Sequence, residues 1–318
     1  MPQPASLDLH VDQLLTSMSI GYKNDSYIAD SLFPMIPVNR QSNIVPKYNQ
    51  SHWFRDDARL RAPGTKSEGG GFTVDTTDKY FCDRYSYRYE IDDEVRDNAD
   101  EPFNLDRDAT FFVTDKLQMR REVAWANAFF TTGVWGTDKV GATDFTKWSD
   151  YASSDPLVNM ESFKDTMETK IAQTPNTLVM GRQVWAQLKF HPDLVDTIKY
   201  TQRGVLTTDL VASLLEIDRL EIGRAIYTTS VEGTAESSVS YSRIWGKNAL
   251  LMYIPASPSL MTPAAGYTFV WRRVPNALQF MKRMRDEERE VDIIEGNSYF
   301  DQKITAANAG LFLSNAVA

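Results

Sequence analysis

The sequence predicts a mixed α+β subunit, and three observations predict it: a long amphipathic helix at the end of the first third of the chain, a long extended hairpin just before it, and an alternation of helix-like and strand-like runs after it. The helix is the organising element. In PFNLDRDATFFVTDKLQMRREVAWANAFFTT, residues 102–132, Leu105, Ala109, Phe112, Met119, Val123, Ala126 and Phe130 fall within one arc of about 100°, while Arg107, Thr114, Gln118 and Arg121 point elsewhere. Asn104 is the expected N-cap, Pro102 stands ahead of it, and Thr131-Thr132-Gly133 ends the pattern. At 1.5 Å per residue the helix, expected over 104–132, spans roughly 40 Å. Phe111 and Trp125 lie among its polar positions, so a second surface is expected to pack there.

Ahead of the helix, residues 1–50 read as an arm. A short helical pattern over 7–18 leads into an extended stretch broken by Pro34, Pro37 and Pro46. Ile28, Leu32, Phe33, Ile36 and Val38 are too many apolar residues for a free tail, so the arm should lie along other surface. Residues 51–90 read as a long hairpin: two extended arms flank a Gly-rich tip at 63–71, and on the return arm Tyr85, Tyr87, Tyr89 and Ile91 alternate with Arg84, Ser86, Arg88 and Glu90. A hairpin of this length buries little of itself and needs a partner surface.

After a Gly-, Thr- and Asp-rich region at 133–154 comes a helix over 156–173, strand 177–180, helix 182–189, a segment at 209–215 and strand 221–228, the alternation of a compact α/β unit. Strand-like ALLMYIP and YTFVW follow. The final stretch, REVDIIEG to AANAGLFLSNA, is expected to return a strand to the core on which the long helix lies, so that the middle of the chain is an insertion.

Composition narrows the function. With 34 Lys and Arg against 43 Asp and Glu, the net charge of −9 argues against holding nucleic acid by phosphate neutralisation, although it is compatible with enclosing it. Cys82 is the single cysteine, so no intrachain disulfide forms. No run approaches eighteen apolar residues and the N-terminus lacks a basic and apolar leader, which implies neither membrane insertion nor export.

No motif requires an enzyme. GTKSEGGGF lacks the spacing of a P-loop and is followed by strand-like sequence, which makes it a loop tip. The acidic residues Asp92, Asp93, Glu94, Asp97, Asp100 and Glu101 lack the pattern of a calcium loop and read as a solvated face, the last of them placed ahead of a helix N-terminus. RYSYRY could offer a base-stacking platform, but an aromatic packing face is the simpler account in an acidic chain. His10, His52 and His191 have no ligand spacing and no G-x-S-x-G is present, so no catalytic, metal or cofactor-binding residues are assigned.

The order of arm, hairpin, long helix, inserted α/β unit and returning strand resembles the major capsid proteins of tailed bacteriophages, the Hong Kong 97-like fold. The resemblance extends to SIGYKNDSYIADSLFP, SHWFRDDARLRAPGTKSEGGGF, DEVRDNADEPFNLDRDATFFVTDK, REVAWANAFFTTGVWGTD and PNTLVMGRQVWAQLKFHPDL, nearly the whole chain. It implies an N-arm at 1–50, an E-loop at 51–90, a peripheral domain at 91–155 carrying the spine helix, an axial domain at 156–274, and a peripheral return strand with the C-terminus at 275–318. It further implies hexamers and pentamers of an icosahedral shell around double-stranded DNA, in a virion assembled in the bacterial cytoplasm. Some relatives carry a helical scaffolding segment ahead of the arm, and none is seen here, so the resemblance implies either a separate scaffolding protein or a segment removed before this numbering begins, with a portal and a decoration protein as further expected partners. A non-viral encapsulating compartment shares the fold, and a soluble nucleotide-binding enzyme is the alternative from another class.

On this reading Arg55, Arg59, Arg61 and Lys66 of the E-loop are expected to meet carboxylates of a neighbouring copy, with Asp106, Asp108, Asp115 and Glu122 as candidates and Glu68 and Arg121 completing the set. Lys66 has no identifiable asparagine partner, so a shell held without covalent cross-links is expected.

Overall fold

The computed structural model describes residues 12–22, 24–48, 50–98, 104–199, 207–258, 262–272 and 278–318. The spine helix runs from Leu105 to Phe129, and Asn104 caps it by accepting from the Arg107 N–H. It lies on a sheet centred on the long strand Val291–Ile304. That strand pairs antiparallel with Gln279–Asp286 on one side and with Asp83–Asp92 on the other; nearer its end it pairs with Gly266–Trp271, which in turn takes Met35–Val38 in parallel. We call this the peripheral sheet.

Ala109, Val113 and Leu117 of the helix pack with Ile91, Met281 and Ile294 of the sheet. The approach is close at Gly296, where a Cβ would stand 2.5 Å from Val113 Cγ1 and force that side chain to shift. The packed face is not the one expected. Phe112 is 42% exposed, while Thr114 and Arg121, expected to point away, are buried. The helix is covered on two sides, by the sheet and by the arm, and the arm's side is lined with polar groups that a hydrophobic arc passes over. The second packing surface expected at Trp125 is present, and that side chain is fully buried against Phe33, Phe129 and Trp245.

A second sheet, which we call the axial sheet, has the order Thr137–Val140, Gly310–Ser314, Ala249–Met252, Thr177–Gly181, Arg219–Gly223. Helices Pro156–Ile171, Arg182–Leu188 and Thr208–Leu214 pack with it in the main core. Asp155 caps the first of these by accepting from the Val158 N–H, and Pro156 occupies its first turn, as the sequence at 156 leads one to expect.

Two strands exchange places relative to the expected domains. Gly266–Trp271, assigned to the axial unit, lies in the peripheral sheet, and Gly310–Ser314, expected to rejoin the spine helix's core, is an inner strand of the axial sheet. Both are short buried apolar runs, and their composition suits either sheet. The hairpin also differs. Its paired arms are Ser42–Ile44 with Lys79–Phe81 and Lys47–Tyr48 with Val74–Asp75, so the outgoing arm begins within the expected N-arm, and Asp83–Asp92 belongs to the peripheral sheet. Residues 54–73 form no strand.

The acidic stretch forms a short helix, Asp93–Asp97, whose N-cap Asp92 accepts from the Glu94 N–H. Asp100, Glu101 and Pro102 lie outside the described residues. The arm's first helix is Gln13–Gly21, capped by Asp12, and residues 7–11 of the expected pattern are likewise outside them.

Candidate assembly surfaces

The arm is tied to the spine helix by polar side chains that the helix buries. Glu122 is inaccessible to solvent; its carboxylate accepts from the backbone N–H of Ile28 at 3.0 Å and of Ala29 at 2.7 Å, and from the Trp245 indole N–H at 2.7 Å. One side chain thus joins arm, spine and axial unit. Burial pushes its carboxyl up to about 7, with the three donors opposing the rise and Asp30 adding to it. Next to it the Arg121 guanidinium, also buried, donates from Nε and Nη2 to the two carboxylate oxygens of Asp30 at 2.9 and 2.7 Å. One turn and a half earlier Asp115 accepts from Asn24 at 2.9 Å and from the hydroxyls of Tyr27 and Tyr22 at 3.2 and 3.4 Å. Burial, then the neighbouring Asp115 charge, raises the pKa of both phenols, so both stay protonated as donors.

Near the helix N-terminus, Asp106 meets Arg96 at 2.9 Å and Arg283 at 3.4 Å. Both arginines also reach Asp292; burial alone would raise that carboxyl, but Arg283 and Arg96 hold it below the usual range.

The extended loop is arranged in the opposite way. Every residue from 54 to 73 is exposed, Leu60 fully. Arg59 faces Glu68 at 3.7 Å in open solvent, and Arg61 donates to the Thr65 carbonyl within the same loop. Arg55 and Lys66 are exposed.

Of the expected assembly residues, then, Arg55, Arg59, Arg61, Lys66 and Glu68 share one projecting loop. Asp108 is half exposed and accepts from the neighbouring Arg107 at 3.1 Å on the first turn of the helix, whereas Asp106, Asp115, Arg121 and Glu122 have partners from other elements of their own chain. The sequence signal for those internal partners is present but distant: Tyr22, Asn24, Tyr27 and Asp30 sit about 90 residues away in the arm.

One constellation imitates a catalytic set. Ser154 Oγ lies 2.8 Å from His191 Nε2, and His191 Nδ1 lies 3.4 Å from Asp193. The hydrogen-bond directions oppose catalysis: the serine hydroxyl donates to the Asp150 carbonyl and His191 Nδ1 accepts from the Asp193 N–H. Nε2 therefore carries the proton and donates to Ser154, and burial keeps the ring neutral. Among the described residues no group of His, Cys, Asp and Glu has the arrangement of a metal site, and no helix is long and apolar enough to cross a membrane.

No protein-family model matches the chain. Among solved structures, a phage-related protein from Bordetella bronchiseptica RB50 superposes with a TM-score of 0.75 at 20% identity, covering 97% of this chain and 98% of its own. The capsid of cyanophage P-SCSP1u superposes with a TM-score of 0.59 at 12% identity, over 91% and 88%. These likenesses establish the fold: a mixed α+β fold of the Hong Kong 97-like kind.

Sequence relatives carry the assignment further. The major capsid protein of Burkholderia phage BcepMu is 27% identical over 96% of both chains, and that of Pseudomonas phage JBD67 is 26% identical over 97% of both. In sequence as well as in fold the chain is similar over nearly its whole length to phage major capsid proteins, and the two together assign it a structural role in the virion capsid, assembled with copies of itself in a shell.

Proposed function

We propose that the subunits assemble as hexamers and pentamers, with the extended loop of each copy laid along the spine helix and peripheral sheet of its neighbour. The supporting observation is the loop itself, some twenty residues with no core of their own, which carries Arg55, Arg59, Arg61 and Lys66 into solvent. On the receiving copy Asp108 is the carboxylate of the set best placed for this, since its one partner, Arg107, is as exposed as it is, whereas Asp106, Asp115 and Glu122 are held by partners from other elements of their own chain. Each exposed pair is worth about 1 kcal/mol or less, and its value lies in setting register at every repeated contact. Separate scaffolding, portal and decoration proteins complete the proposed set of partners.

The shell would hold double-stranded DNA by enclosure. The chain is acidic overall, and an inner wall that grips weakly lets the duplex slide during packaging. Negative-stain microscopy of the purified protein should show closed particles of uniform diameter; a discrete monomer at all concentrations would overturn the reading. Unassembled subunits should bind duplex no tighter than about 10⁻⁴ to 10⁻⁶ M at physiological salt. Nanomolar binding with a steep salt slope would instead make the strand bearing Arg84 and Arg88 a nucleic-acid site.

A further inference from the structure

The two flanks of the peripheral sheet are treated differently. Along Gln279–Asp286 the outer backbone groups are covered by the arm: Met281 donates its N–H to Thr16 Oγ1 at 3.1 Å and accepts from the Asp12 N–H at 3.3 Å. Along Asp83–Asp92 nothing comparable occurs. The strand is ten residues long, pairs without interruption to residues 291–300 on its inner side, and among the described residues receives no backbone partner on its outer side. It contains no proline, glycine or bulge to blunt the edge, and Tyr87 and Tyr89 are each 43% exposed. A long open edge on a protein present in many copies is a pairing site unless something covers it.

We infer that this edge pairs with the same strand of a second copy, antiparallel about a two-fold axis through Tyr87. The register follows from charge. Two-fold pairing must match residues of equal parity, because a one-residue slip would set each side chain against the wrong face. Centred on Tyr87, Arg84 stands opposite Glu90 twice, Tyr85 opposite Tyr89 twice, and Ser86 opposite Arg88, with no like charges facing. The equal-parity registers on either side put Arg84 opposite Arg88, or Arg88 opposite itself, and like charges directly opposite are unfavourable. The Tyr87-centred register also overlaps nine of the ten residues, from 83 to 91. The tyrosines lie on the spine-helix face with Phe112, so pairing would join two such aromatic patches into one.

The inference rests on self-assembly but not on the loop contact, and its test uses particles already formed. Amide exchange is compared between assembled particles and unassembled subunits of the natural sequence. Within 84–90, the outward N–H groups should slow by about 100-fold on assembly, and unchanged exchange there in intact particles would overturn the proposal. Occupancy by the same strand is then read from Tyr87→Cys particles treated with a short bis-maleimide, with Asp83→Cys as control, because residue 87 alone meets itself. A dimer band from Tyr87→Cys and none from Asp83→Cys is expected. Slowed exchange without that dimer would mean that another segment, such as a neighbour's extended loop, covers the edge, and would equally overturn it. Absence of particles would count against the assembly reading instead.

Discussion

The arm–spine junction and the extended loop carry similar side chains and use them in opposite ways. At the junction, Arg121 and Glu122 are removed from water, and each is met by partners within its own chain, Asp30 for the first and two backbone amides and an indole for the second. In the loop, Arg59 and Glu68 stand 3.7 Å apart in solvent, where such a pair contributes little. Buried charges with complete hydrogen bonding specify where the arm lies, because removing one partner strands the others. Exposed charges specify nothing within the subunit and stay available to a neighbour. Position in the fold, not residue type, separates the folding role from the assembly role.

The comparison is broken most severely from the helix itself. Val123→Pro removes a backbone donor beside Glu122 and clashes with the preceding turn, a loss of about 3 kcal/mol or more; the expected outcome is insoluble protein, against which soluble yield and particle recovery are the measurements.

Glu122→Ala leaves the amides of Ile28 and Ala29 and the Trp245 indole without an acceptor, and should lower stability by about 3 kcal/mol in urea unfolding. A variant as stable as the natural protein would show that the arm is held mainly by its apolar residues.

Gly296→Ala would place a Cβ against Val113, Leu117 and Met281 and should cost about 1 to 3 kcal/mol, read as a lowered Tm with the fold intact by circular dichroism.

The pH dependence sharpens the same contrast. The folded-state pKa of Glu122, about 7, lies above its ordinary value of 4.5. The folded state therefore holds a proton that the unfolded state has lost across that window. This contribution is fully present below about pH 4.5 and is lost as pH rises through 7, on the order of 3 kcal/mol. Glu122→Gln should flatten that segment of a Tm-against-pH profile, and parallel profiles for the two proteins would contradict the assignment.

The smallest effect on the subunit should come from the loop. Arg59→Glu combined with Arg61→Glu is expected to change unfolding free energy by no more than about 0.5 kcal/mol while abolishing shells in a sucrose gradient. Normal particles from this variant would remove the loop cations from assembly.

Much of this molecule is determined locally. Asn104 and Asp155 cap their helices because a short polar side chain can reach the amides two or three residues on, and that chemistry is readable wherever it precedes an apolar period. The loop tip is equally legible, since its glycine and small polar residues cannot bury enough surface to fold. What the sequence could not decide was which partner each element meets. GYTFVW and GLFLS are both buried apolar runs, and only tertiary pairing sent the first to the peripheral sheet and the second into the axial one. Helical periodicity likewise counts apolar residues, whereas the arm's side of the spine helix is built from Thr114, Asp115, Arg121 and Glu122. Such residues look like a solvated face until Asp30, Tyr27 and Trp245 arrive from distant parts of the chain. A buried polar group is stable only with its partners in place, and those partners are a property of the fold.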